Sequence, residues 1–232
     1  VAEENALVVL ASMPDGCVDA VVADPPYGTG QWQRPEAGAG ADCRAVHTTE
    51  EWDRWDPAWI PEALRVSRGP VLSFCPQTRV SELIDYAVSH ALPWRLLMWV
   101  KSDPRPRFSG QPAYGFEPVV AMRVLDGGGK DWEIASAPRE HRDHDGTGHP
   151  HQKPAAVMRW LVDLAAPPGG VVLDPFAGSG STLVAALATG RRAIGCEMTA
   201  QWATLTRARC RAAECGGDWR QPEQASLFGA AR

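Results

Sequence analysis

"VVLDPFAGSGSTLVAALATG", residues 171–190, decides the fold. Val171, Val172 and Leu173 form a short β-branched and aliphatic run of the kind that fills a buried strand. Asp174-Pro175 stops it, a small-residue turn follows through Gly178-Ser179-Gly180, and Ser181 to Thr189 reads as a helix closed by Gly190. Strand, small-residue turn and helix in this order let a ligand approach the backbone at the helix start, beyond the carboxyl end of the strand. No Gly-Lys-Ser/Thr is present, so a phosphate-binding P-loop is excluded, and the turn is not a full GxGxxG. The next strand, "RRAIGCEM" (191–198), reaches Glu197, seventeen residues past Gly180. An acid there is placed to accept hydrogen bonds from ribose hydroxyls. Gly178 or Glu197 alone is equally a plain turn or a surface acid; together they point to a nucleoside cofactor that lacks a pyrophosphate.

Outward from this unit, short apolar runs alternate with helical patterns. "CVDAVVAD" (17–24), "GPVLSFCP" (69–76), "WRLLMWVK" (94–101) and "FEPVVAMRV" (116–124) read as strands. "TRVSELIDYAVSHA" (78–91) and "KPAAVMRWLVDLAAP" (153–167) show helical spacing, the second with Pro154 near its start. "EEWDRWDPAWIPEALRVS" (50–67) is helical but broken by Pro57 and Pro61, and "TAQWATLTRARCRAAECGG" (199–217) is a last helix with Thr199 as its cap. The expectation is an α/β fold: one mixed, mainly parallel sheet with helices on both faces. Residues 28–50 and 124–150 fit neither pattern and read as functional or mobile loops.

The 232 residues are 44% hydrophobic, enough for one sizeable core. No apolar run has membrane-spanning length, and Glu3 and Glu4 stand where a basic leader would begin. Cys17, Cys43, Cys75, Cys196, Cys210 and Cys215 form no C-x-x-C pair and read as reduced thiols of a cytosolic protein. A net charge of −5 argues against a protein that coats nucleic acid but leaves room for a local basic face. His141, His144, His149 and His151 crowd one loop, but their spacing fits no structural zinc pattern, so no metal is expected.

A second strand also ends on an acid and a proline. "VVADPPYGTG" (21–30) carries Asp24, Pro25, Pro26 and Tyr27. Alone, the tetrapeptide is as much a rigid turn as a site. "ADPPYG" followed by "HPHQKP" (149–154), "VLDPFAGSGST" and "AIGCEM" resembles the amino-methyltransferases of DNA, and the order of the motifs resembles their beta class. The resemblance covers nearly the whole chain outside the long loops and the tail. It implies a Rossmann-like methyltransferase fold with circularly permuted motif order. It also implies a single methyltransferase domain over 1–220 and a tail over 221–232. The 28–50 loop would be mobile, and 124–148 a short target-recognition insertion.

The same resemblance implies the chemistry. S-adenosylmethionine donates a methyl group to an exocyclic amine of a base flipped out of double-stranded DNA. That amine is a poor nucleophile, and the Asp24 carboxylate with the Pro25 carbonyl would accept its two N–H bonds and stabilise the charge that develops. Pro26 stiffens the turn, and Tyr27 offers a ring for the base. Cys43 and Cys75 are not needed as nucleophiles. Asp at the first position resembles the adenine-N6 group more than the cytosine-N4 group; a non-catalytic cofactor-binding subunit is the rival from another class.

For the cofactor, the matching positions are Asp174, Phe176, Ala177, Gly178, Ser179, Gly180 and Glu197, with Asp24 near the transferred methyl. Gln152 and Lys153 match the positions at the methionyl end, where Lys153 could pair with a carboxylate. Asn5 in "ENALVVL" (4–10) stands where the family carries Asp near the cofactor adenine. Lys101, Arg105, Arg107, Arg139 and Arg142 are candidates for a basic rim on DNA phosphates, or a set of solvated charges, joined by Lys153 and Arg159. Trp32, in a polar loop, is a candidate DNA contact, while Trp52, Trp55 and Trp59 default to core packing. The short recognition segment suggests brief sequence readout or a homodimer. Gln224-Ala225-Ser226-Leu227-Phe228 resembles the peptide that docks on the bacterial sliding clamp, with Gln224, Leu227 and Phe228 as its contacts. The family places the protein in the cytoplasm of a bacterial or phage-infected cell.

Overall fold

The computed structural model describes residues 1–28, 54–101, 115–124, 147, 149 and 151–220. Six strands form one sheet: β1 (Ala20–Ala23), β2 (Val71–Phe74), β3 (Trp94–Val100), β4 (Phe116–Met122), β5 (Val171–Asp174) and β6 (Arg192–Gly195). Their order is β3-β4-β2-β1-β5-β6. β1 pairs in parallel with β2 and β5, and β5 with β6, while β4 runs antiparallel to both β2 and β3. The sheet is therefore mixed and mainly parallel, as the alternation predicts.

Among the described residues six α-helices cover it: α1 (Ala6–Ser12), α2 (Trp59–Val66), α3 (Val80–Ser89), α4 (Ala155–Ala165), α5 (Ser181–Ala188) and α6 (Ala200–Glu214). β1, β2 and β5 are buried at every position, which is what helices on both faces require of central strands. One core layer joins Val22, Leu72, Phe74, Val119 and Val172 to Val157, Leu161 and Val162 of α4 and to Ala185 and Ala186 of α5. The other joins Val21, Val71, Val120 and Leu173 to Leu10 of α1, to Trp59, Ile60 and Leu64 of α2, and to Leu83 of α3. No described helix is long and apolar enough to cross a membrane.

Three local readings need correction. Pro61 does not break α2, because it is the third helical residue, where its missing N–H has no partner to lose. Helix α1, which the β-branched pair in "ALVVLAS" hides from a periodicity reading, is capped by Asn5, whose Oδ1 accepts the Leu7 N–H at 2.9 Å. Thr199 holds the cap position of α6 but its side chain makes no capping bond. Its own N–H donates instead to Glu197 Oε1 at 2.8 Å.

Candidate active site

β1 and β5 are neighbours, so the two Asp-Pro turns that leave them open side by side at the carboxyl edge of the sheet. Between them lies a cavity of about 460 Å³. Its walls include Asp24, Pro25, Pro26 and Tyr27 on one side and Asp174, Phe176, Ala177, Gly178, Ser179 and Glu197 on the other. Asn5, Gln152 and Lys153 also line it, so residues up to 192 positions apart in sequence are gathered at one opening.

On the first side, Asp24 Oδ2 accepts from Lys153 Nζ at 2.6 Å. Asp24 Oδ1 is buried and has no hydrogen-bond partner. Burial raises the Asp24 pKa above the ordinary carboxylate range, and the Lys153 ammonium restrains that rise. Lys153 is held protonated: burial works against its charge, but Asp24 and Glu117 outweigh it and raise its pKa. Its ammonium also lies 5.3 Å from the Tyr27 ring centre and 4.8 Å from that of Phe74. The Tyr27 hydroxyl is buried beside Asp24 without a hydrogen bond of ordinary geometry, and burial with the nearby Asp24 and Glu117 charges pushes its pKa well up.

On the other side, Asp174 is 2% exposed. Its Oδ1 accepts the Phe176 N–H at 2.9 Å, and the nearby Thr182 hydroxyl favours the charged carboxylate. Burial outweighs both, and the like charges of Asp24 and Glu197 add to it, so the pKa rises to about 7. Glu197 Oε2 accepts the Gly178 N–H at 2.9 Å, which ties the end of β6 to the glycine turn. Gly178 and Gly180 have φ of 51° and 83°. A Cβ on Gly180 would come within 2.7 Å of Thr206 Cγ2, so this position has no room for a side chain. Gly180 thus shapes the turn from behind without lining the cavity.

Helix α6 holds that turn in place. The Thr206 hydroxyl donates to the Gly178 carbonyl at 2.7 Å, and the fully buried Arg209 donates to the Ser179 carbonyl at 2.7 Å. Neither residue is visible in the turn motif. Trp59 packs edge-on against Phe176, ring centres 5.3 Å apart, and His149 packs against Trp202 at 4.6 Å. His149 lies over Gly178, and burial lowers its pKa to about 4, so it is neutral at physiological pH. The Thr147 hydroxyl bonds to Gln152 Oε1.

Two basic candidates are placed elsewhere than on an exposed rim. Lys101 follows β3 with its side chain only 10% exposed and pairs with Glu117 Oε1 at 2.6 Å. Lys153 is committed to Asp24 and lies 3.3 Å from Glu117 Oε2. Arg159 stays exposed. Glu117 is the residue that the motifs miss. Its one signal is an acid in the apolar run "FEPVV", at a position whose two-residue period with Val119 and Ala121 points it to the α4 side of the sheet. Trp32, Arg105, Arg107, Arg139, Arg142, His141, His144, Cys43 and the Gln224–Phe228 peptide lie outside the described residues. Cys75 is buried and its thiol is pushed up to about 12, which leaves no nucleophile there.

The chain resembles known proteins along most of its length. Residues 126–207 match the family model described as DNA methylase (N6_N4_Mtase). A putative methylase, YubD, of Escherichia coli (strain K12) is 30% identical over 244 aligned residues, covering 94% of this chain and 95% of the relative. The type II methyltransferase M.HinfI of Haemophilus influenzae is 23% identical over 87% of this chain, which spans 65% of that protein. Among solved structures, the M1.HpyAVI–SAM complex superposes with a TM-score of 0.65 at 21% identity, over 89% of this chain and 97% of that one.

Proposed function

The chain belongs to the N6/N4 amino-methyltransferase family of DNA, and on that premise we propose that it methylates the N6 amine of an adenine flipped out of double-stranded DNA. S-adenosylmethionine would supply an electrophilic sulfonium methyl. The Asp174–Gly180 turn, Glu197, Asn5 and Gln152 would hold it, in the cavity that the turn shapes.

One observation carries the reading: Asp24 Oδ1 is a buried acceptor that makes no hydrogen bond of ordinary geometry, with only the nearby Tyr27 hydroxyl easing its charge, at the wall of the cavity that the cofactor turn also lines. Burying such an atom unpaired costs about 1–3 kcal/mol, more for a charge, so it is kept for a donor that arrives with the substrate. An exocyclic amine is that donor. Asp24 and the Pro25 carbonyl accept its two N–H bonds, turn its lone pair toward the methyl and stabilise the positive charge that forms on nitrogen. S-adenosylmethionine, when bound, would give up its methyl group and leave as the neutral thioether, and the proton that the methylated amine loses would pass to solvent. Tyr27 stacks the flipped base. Cytosine-N4 presents the same amine, and Asp at the head of the motif is what favours adenine.

Transfer of a tritiated methyl group to DNA, followed by separation of the nucleosides, tests this. Label in N6-methyladenine is expected; label in N4-methylcytosine would move the substrate, and none in either would end the reading. Trp32, Arg105, Arg107, Arg139 and Arg142 remain proposed DNA contacts, and residues 124–148 the proposed recognition segment. Docking of Gln224, Leu227 and Phe228 on a sliding clamp is proposed from the sequence alone. Clamp pull-down with Leu227→Ala/Phe228→Ala should lose recovery, and equal recovery would end the idea.

A further inference from the structure

Behind the cavity wall runs a row of charge that the motif chemistry does not use. Glu117 does not line the cavity. It sits one layer back on β4, its side chain 19% exposed, with Lys101 Nζ 2.6 Å away on one side and Lys153 Nζ 3.3 Å away on the other. Lys153 in turn grips Asp24 Oδ2 at 2.6 Å. Lys101, Glu117, Lys153 and Asp24 therefore alternate in sign and sum to zero. They come from four separate places: the end of β3, β4, two residues before α4, and the end of β1. In so dry a layer, an ion without a counter-ion is strongly disfavoured. The row ends at Asp24 Oδ1, its unpartnered oxygen on the cavity wall.

We propose that Glu117 is a positioning residue for methyl transfer: backed by Lys101, it holds the Lys153 ammonium protonated and in place against Asp24 Oδ2, so that Oδ1 is the oxygen turned to the amine. This rests on the amine-methylation reading above. Two side chains on a strand and an adjoining strand end, neither touching substrate, thereby fix the ammonium that grips the acceptor. The other titratable groups facing Asp24 are Tyr27 and Asp174, with Cys75 beside Tyr27, and none is changed in the variants below.

The row makes opposite demands on its two rear members. Glu117→Gln removes a negative charge, so Asp24 ionises more readily and Lys153 loses its proton more readily. Both limbs of the pH–rate profile should move to lower pH. Lys101→Met removes a positive charge, and both limbs should move to higher pH. Lys101→Met/Glu117→Gln restores the balance and should return the profile toward that of the unaltered protein. A merely structural pair would not produce shifts of opposite sign.

The experiment is single-turnover transfer to saturating DNA across pH, with cofactor affinity measured by equilibrium dialysis. Glu117→Gln should lower the rate by about tenfold or more near neutral pH, with cofactor affinity within about twofold. An unchanged rate and profile in Glu117→Gln would overturn the proposal. So would shifts of the same sign in both single variants, or a double variant further from the unaltered profile than either single. If a single variant fails to fold, the charge-balanced double variant carries the test alone, and a profile that does not return overturns it. Should the unaltered protein transfer no methyl to any base amine, the functional reading itself falls, a failure visible before any variant is made.

Discussion

Two Asp-Pro turns leave adjacent parallel strands at one edge of the sheet, and they treat their acids differently. Asp24 is buried against a cation, Lys153, at 2.6 Å. Asp174 is buried against a hydroxyl, a backbone N–H and two like charges, and its carboxyl rises to about 7. The first acid thus has its countercharge built in and keeps one oxygen in reserve. The second depends for its charge on what enters the cavity. The same two residues at the same place in a βα connection become a fixed acceptor in one turn and a responsive one in the other. What differs is the third residue: Pro26 keeps the first turn stiff, whereas Phe176 leads into glycines at positive φ.

Removing the fixed acceptor should have the largest effect. Asp24→Ala is expected to lower the transfer rate by about a thousandfold while cofactor still binds, as loss of a preorganised partner for developing charge does elsewhere. Equal losses in binding and transfer would dissolve the distinction between the turns.

Asp174→Asn probes the responsive acid. With a folded pKa of about 7 against an ordinary value of 3.8, Asp174 favours folding below about pH 4, and that contribution is lost as pH rises through 7. The variant cannot ionise. The cofactor-free variant should therefore melt higher than the unaltered protein at alkaline pH, by up to about 4 kcal/mol, with the gap closing toward pH 4. The same change should weaken cofactor binding by about ten- to a hundredfold, measured by titration calorimetry.

Gly180→Ala tests the shape of the second turn. Its φ of 83° and the 2.7 Å approach to Thr206 predict a loss of about 2–3 kcal/mol in urea denaturation. Gly190→Ala, with φ of 72° but no heavy atom within 4 Å, should cost about 1 kcal/mol. The smallest effect belongs to Asn5→Ala. Loss of the α1 cap should cost about 1 kcal/mol of stability, and an unchanged cofactor affinity would show that Asn5 caps α1 without helping to hold the cofactor.

Both turns and their order were legible in the sequence because strand ends and glycine turns are local, and the residues there announce themselves by breaking an apolar run. The supports were not. Arg209 and Thr206 reach the glycine turn from α6 with nothing nearby in sequence to mark them. Glu117 looks like one acid at the start of a strand, and Lys101 like one base in a basic stretch. Their meaning comes only from β3 and β4 lying antiparallel, which sets Glu117 opposite Trp99 and brings Lys101 alongside. Asn5 was legible as a polar residue before an apolar run, but two adjacent valines hid the helix it caps.

The sheet also has a seam. β3, β4, β2 and β1 all come from residues 20–122, β5 and β6 from residues 171–195, and no strand of one block is interleaved with the other. The blocks join through the β1–β5 pair, α4 laid across β1 and β2, and the Ala2–Cys196 bridge. Each block carries one of the two Asp-Pro turns, and the Lys153–Asp24 bond crosses between them. A chain cut between residues 124 and 147 would therefore yield two pieces, each inert alone, one lacking the acceptor and the other the glycine turn. Reunited, they would behave as a logical AND gate, marking DNA only where both inputs meet.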